Sequence, residues 1–207
     1  MTNNDIQKNF HNNIIYFFFV SHFIILLVSM LCTSRMVHVF GMDFTGGLFL
    51  IPFTFFIQDI VTESYGYKIA KNLLNNTIGM YVLFVAIIFI LSLLQKQFKI
   101  IIGDIFRHSI SVIFAIYLGG LINNIILYNL KLFFNKRFLA MRFIVSTAIG
   151  EAVFQIIATF ISWYGIMNNN KIIILAIIAY LYKILFEIFM TPFNLLICKY
   201  LRNINIS

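Results

Sequence analysis

Charge is scarce in this chain. Only 11% of its 207 residues are Asp, Glu, Lys or Arg, and the acids number seven. A soluble domain ordinarily carries about a quarter charged residues, so water is not the main solvent for which this sequence is built. Cysteine is nearly absent as well. Cys32, Cys198 and four scattered His form neither a zinc-ligand spacing nor a disulfide framework. No G-x-x-x-x-G-K-[ST] occurs, which excludes ATP hydrolysis through a P-loop in this chain, and neither H-E-x-x-H nor G-x-S-x-G is present. With no catalytic constellation in view, the chain reads as a non-enzyme that takes no cofactor.

What it has instead is apolar length. Hydrophobic residues make up 61% of the chain and the mean hydropathy is +0.95. A helix needs about 20 mainly apolar residues to cross the hydrocarbon core. Six stretches qualify: 14–33, 46–64, 78–94, 110–128, 143–164 and 172–198. The expected fold is therefore all-α, a polytopic membrane protein with six transmembrane helices in one bundle over 14–199, and the lipid bilayer is its first partner. A polar tail over 1–13, without fixed structure, and a short tail over 200–207 flank it. The first apolar run is too long for a signal-peptide core and reads as a retained helix. Pro52 inside the second span predicts a kinked or broken helix there.

A net charge of +8 does not point to nucleic acid, because the basic residues are scattered over the connectors and line no single face. Their distribution follows the positive-inside bias. With both termini cytoplasmic, the inner segments hold Lys8, Lys68, Lys71, Lys131, Lys136, Arg137, Arg142, Lys199 and Arg202. The outer loops hold only Arg35, Lys96, Lys99, Arg107 and Lys171. Cys32 and Cys198 then sit at opposite ends of the bundle, which excludes a disulfide between them.

Five ionisable residues fall inside the spans: Asp59, Glu63, Glu151, Lys183 and Glu187. Each costs roughly 2.5 to 3.5 kcal/mol at the centre of a span on insertion scales, so each needs a reason. Asp59 and Glu63, four apart, share one helix face. Thr147, Glu151 and Gln155 form a second polar stripe, and Lys183, Glu187 and Thr191, with Asn194, a third. Asn124 and Gly120 mark a face of the fourth span, with Asn123 beside them. Four acids against one base require that some carboxyls hold a proton, or that they face water or a donor-rich ligand. A structural account competes in places. Lys183 and Glu187 have the spacing of a self-contained ion pair, His22 that of a hydrogen-bonded packing residue, and Gly119 and Gly120 that of a close helix crossing.

The segment PFTFFIQDIVTESYGYKIAKN, Pro52 to Asn72, resembles the signature of the queuosine precursor transporter family, also called the vitamin uptake transporter family. The resemblance lies in D-x-x-T-E-x-Y-G, here Asp59, Thr62, Glu63, Tyr65 and Gly66, followed by Lys68 and Lys71. Ser146, Thr147 and Gly150 on the fifth span support it, as does Lys183 ahead of Pro192. Asn123 and Phe154 stand where many members carry acids. The resemblance implies a multi-pass protein of the bacterial inner membrane, similar in architecture to the substrate-binding subunits of energy-coupling-factor transporters. The implied cargo is a 7-deazaguanine precursor of queuosine, in its nitrile or aminomethyl form, for tRNA modification. The substrate-binding candidates are Gln58, Asp59, Thr62, Glu63, Asn123, Glu151, Gln155, Lys183 and Glu187. Asp59 or Glu63 would accept the guanine-like edge, Glu151 would be a second pole and Lys183 the counter-charge. A solitary or homo-oligomeric carrier, a subunit energised by a separate module, a carrier of another nucleobase- or vitamin-like solute, and a structural scaffold all stay open.

Overall fold

In a computed structural model the chain forms six long helices and one small hairpin, described over residues 3–33, 36–39, 42–94 and 96–206. The elements are α1 (Asn3–Thr33), β1 (Met36–Val39), β2 (Met42–Thr45), a 3₁₀ turn (Gly46–Phe49), α2 (Ile51–Tyr65), α3 (Tyr67–Leu94), α4 (Lys96–Phe133), α5 (Leu139–Trp163) and α6 (Asn169–Ile206). Six helices are long and apolar enough to cross a membrane, in agreement with the six windows of the sequence. They run up and down, so one end of the bundle gathers the described ends of α1 and α6 with the α2–α3 and α4–α5 links. The opposite, distal end carries the hairpin and the α5–α6 turn. Arg35, residues 1–2 and 207, and the side chains of Lys8, Lys96 and Lys99 lie outside the described residues.

The helices exceed the hydropathy windows for identifiable reasons. α1 reaches back to Asn3, through the segment expected to lack structure. Once a span is nucleated, each added residue gains a backbone hydrogen bond for one residue fixed. The polar stretch after the second span is likewise helical. There, Ala70, Leu73, Leu74 and Thr77 are buried at i, i+3, i+4 and i+7, while Lys68, Lys71, Asn72, Asn75 and Asn76 face outward. That stripe makes 67–77 the first turns of α3, and Gly66 alone separates α3 from α2. Its φ of 89° is a conformation that only glycine adopts cheaply.

The second span is interrupted, but not by a kink at Pro52. The break comes earlier, where the 3₁₀ turn gives way at Leu50, and Pro52 lies in the first turn of α2. Its missing N–H is harmless there, since first-turn donors have no helical acceptor. The preceding connector folds into the antiparallel pair β1–β2, with Met36 opposite Thr45 and Val39 opposite Met42. Two strands of four residues leave the all-α class unchanged. Both cysteines are free.

The span through α2 is the most enclosed, with 72% of its most apolar stretch buried against 17% for that of α3. It packs on α1, α3, α4 and α6, so the acids of its motif lie in the protein interior. α3 turns Met80, Leu83, Ile87 and Ile90 outward at helical spacing, a lipid-facing stripe. α4 crosses α5 at close range. A methyl group on Gly119 would lie 2.8 Å from the Gly150 carbonyl oxygen, and one on Gly150 would lie 2.7 Å from Asn123 Cβ. The small-residue contact read from Gly119 is thus a backbone-to-backbone approach. Gly150→Ala should cost about 1 to 3 kcal/mol by overpacking and lower the unfolding midpoint of the detergent-solubilised protein. Gly79→Ala, where an added methyl meets nothing, should leave the midpoint unchanged or raise it.

Candidate functional site

Asp59 anchors the interior. It is fully buried on α2, accepting a hydrogen bond at 2.7 Å from Asn123 Nδ2 on α4 and one at 2.9 Å from Thr147 Oγ1 on α5. Thr62, one turn on, donates at 3.1 Å to Asn124 Oδ1. Gln58, on the preceding residue, is directed elsewhere. Its amide meets His22 Nε2 at 3.2 Å, and His22 Nδ1 lies 3.0 Å from Thr77 Oγ1. His22 is therefore the hydrogen-bonded packing residue its isolation suggested, tying α1 to α2 and α3.

Glu63 belongs to a different environment from Asp59, although both stand on α2. Arg142 holds its carboxylate with two N–H groups, Nη1 to Oε2 at 2.9 Å and Nη2 to Oε1 at 3.4 Å. Lys131 Nζ is 3.4 Å from Oε1 and also donates to the Glu63 carbonyl at 2.6 Å. The more exposed Arg202 lies 3.7 Å away. α2, α4, α5 and α6 thus meet in one ion network at the end of the bundle nearest the described ends of α1 and α6. This corrects the placement of Arg142 as a connector charge, because its side chain is fully buried. The reason is geometric: α5 begins at Leu139, four residues before the hydropathy window, and turns Arg142 inward.

The fifth and sixth helices supply the other pole. Lys183 Nζ donates to Glu151 Oε2 at 2.6 Å, with both side chains buried, and stands 3.7 Å from the centroid of the Phe154 ring. The pair expected within α6 is therefore formed across to α5, since Lys183 turns toward α5 while Glu187 keeps a buried Oε1 with no hydrogen-bond partner among the described residues. Glu151 Oε1 is unpartnered in the same way.

Above this pair lies a small cavity of about 50 Å³ that is open at one side. Trp163, Phe154 and Ile51 give it apolar walls. Gln155, Thr159, Ser162 and Lys183 give it polar ones, and Thr45 and Gly47 close the side nearest the hairpin. Of the nine candidates, Gln155 and Lys183 line this cavity. Glu151 stands directly behind Lys183, Asp59 and Glu187 lie within electrostatic reach of Glu151, and Glu63 is occupied by Arg142. Gln58, Thr62 and Asn123 bind their neighbours on adjacent helices. The cavity residues that sequence reasoning missed carried a signal: the stripe Thr147, Glu151, Gln155 continues at the same spacing to Thr159.

The Glu63 network yields a stability test. Arg142→Met leaves a buried carboxylate without its main partner, a change that costs about 3 to 5 kcal/mol. It should lower folded yield and unfolding midpoint sharply, and Glu63→Gln added to Arg142→Met should restore much of the loss.

Residues 45–197 match the family described as putative vitamin uptake transporters. No curated protein and no solved structure matches the chain. The family match covers most of the chain, including the helix-two motif, the acids of α5 and α6 and most of the cavity. The chain therefore belongs to the vitamin uptake transporter family, and its six spanning helices make it a multi-pass membrane transporter.

Proposed function

We propose that this protein imports 7-deazaguanine precursors of queuosine across the bacterial inner membrane, with both termini cytoplasmic, and that the cavity above the Lys183–Glu151 pair receives the base. The observation that carries this reading is the division of the cavity walls. A flat bicycle stacks on the aromatic side, formed by Trp163 and Phe154. Gln155, Thr159 and Ser162 offer amide and hydroxyl groups to its edge. Lys183 donates to the ring carbonyl, and the free oxygen of Glu151 accepts the ring N–H or exocyclic amine once Lys183 turns toward the solute.

The cavity is lined by residues at the distal end of the bundle, Thr33, Thr45 and Trp163 among them, while the Glu63 network fastens the opposite end. That asymmetry supports a state open to one side of the membrane, as alternating access requires. In the proposed orientation the open side is external.

The test is queuosine content of tRNA in a strain that cannot make its own precursors but retains the later steps. Fed the nitrile or aminomethyl base, the strain should regain queuosine only when this protein is expressed. Absence of rescue with both precursors would sink the substrate assignment. Trp163→Ala and Gln155→Ala should each lower uptake by about 10-fold, the scale of one lost stacking or hydrogen-bonding contact, at unchanged membrane abundance.

A further inference from the structure

The floor of the cavity is an ion pair of which one partner faces the solute and the other does not. Lys183 lines the cavity, and Glu151 lies behind it, fully buried. Lys183 Nζ donates to Glu151 Oε2 at 2.6 Å, and Glu151 Oε1 has no hydrogen-bond partner among the described residues. The charge of Glu151 therefore depends on Lys183. The groups that neighbouring helices bring to it offer no replacement. α6 adds Glu187 and α2 adds Asp59, both acids within electrostatic reach. Tyr180 of α6 donates its hydroxyl to the Ala148 carbonyl at 3.2 Å. α4 meets this stretch of α5 through Gly119 and Asn123, which are neutral. Its Arg107 and His108 stand at the far end of α5, beside Ile161 and Trp163. Arg142 is held by Glu63 at the opposite end.

A base that engages Lys183 has an electrostatic consequence behind it. The ring carbonyl draws the ammonium away from Glu151, while the ring N–H that reaches Oε1 is neutral. The hydrogen bond is restored and the charge is not. Removing one partner of a buried pair leaves an uncompensated charge, which is strongly unfavourable. A carboxylate so placed is neutralised by taking a proton. The cavity gives that proton a route. It measures about 50 Å³ and carries the polar groups of Gln155, Thr159 and Ser162, and one water needs roughly 10 to 15 Å³. There is room for a short file of waters from the open side to Lys183.

We infer that the carrier is proton-linked and takes up one proton on Glu151 for each base it binds. As Lys183 swings to the ring carbonyl, a proton passes from the water of the cavity to Oε2, the oxygen that Lys183 vacates, and Oε1 accepts the ring N–H. One O–H bond forms on Glu151, and one is given up by a hydronium ion or buffer acid in solution. When the base leaves, Lys183 returns to Oε2 and the proton departs to the side then open, so that solute and proton cross together. The inference rests on the proposed binding of a 7-deazaguanine beside Lys183 and adds its coupling ion. Asp59 does not compete for this role, since it keeps its bonds from Asn123 and Thr147 whichever way Lys183 points. Glu187 loses no partner when Lys183 turns, because Lys183 is paired with Glu151.

The experiment is calorimetry on the purified, full-length protein in buffers of differing ionisation enthalpy, which counts the protons exchanged on binding. The nitrile and aminomethyl bases are each titrated between about pH 6 and pH 7, where the aminomethyl group keeps its ammonium proton as an ordinary amine does. The wild type should take up about one proton per base bound. Its affinity should rise by up to about 10-fold for each unit fall in pH, because proton and base each favour the binding of the other. In Glu151→Gln, whose amide keeps an acceptor oxygen, the binding that remains should take up no proton and lose its pH dependence. Binding by the wild type with a proton count of zero would overturn the linkage. Proton uptake that survives Glu151→Gln would overturn its assignment to this residue. Binding of neither base would remove the proposed function together with the linkage, an outcome distinct from binding without protons. The wild-type count decides the linkage even where the variant fails to fold.

Discussion

A charge carried into a bilayer must be met by another charge, by a hydrogen-bonding partner or by a proton, and the packing of this bundle is organised around that requirement. Three of the four buried carboxylates recruit groups from other helices: Asp59 from α4 and α5, Glu63 from α4, α5 and α6, and Glu151 from α6. Apolar surface cannot set helix partners by itself here, because lipid tails welcome Leu and Ile as readily as another helix does. Polar contacts, together with close glycine crossings, give the bundle its register. The central place of α2 follows, since the helix with most to satisfy is the one enclosed on most sides.

The two ends meet this requirement in opposite ways. Near the described ends of α1 and α6, Glu63 is saturated by Arg142, Lys131 and Arg202, and nothing is left over for a ligand. Toward the distal end a cavity opens onto the pair of Lys183 and Glu151, where Glu151 Oε1 has no hydrogen-bond partner among the described residues. Saturated polar networks make rigid parts, whereas incompletely satisfied ones mark places where a further molecule can improve the balance. The division between a fastened end and a receptive end is therefore visible in hydrogen-bond accounting alone.

The six spans were legible because a membrane helix announces itself by length and hydropathy. Their partners were not. Spacing within α6 placed Glu187 within reach of Lys183, but only the arrangement of α5 against α6 reveals that Glu151 takes the lysine. Arg142 was misplaced because a charge near a helix end reads as a connector whichever way it turns. The opening turns of α3 were hidden by Lys and Asn on its outer face, which dilute an average over all sides of a helix while leaving its buried stripe intact. The hairpin was too short for any period to emerge. The motif around Asp59 marked the right helix, yet its two acids serve separate ends of the molecule, a distinction that four residues of spacing cannot express.

The contact of Gly119 with Gly150 has a mechanical consequence. Where two backbones touch with no side chains between them, there is no soft layer to slide through, so α4 and α5 are coupled as one stiff plank. Rearrangement that passes a solute from one face of the membrane to the other is thereby directed to the remaining seams, of α4 and α5 against α2 and α6. Those are the seams crossed by Asp59 to Asn123 and Thr147 and by Lys183 to Glu151, while the Glu63–Arg142 pair fastens one end. The glycine joint is thus the keel of the bundle, against which any passage of a solute has to part the polar contacts nearer the cavity.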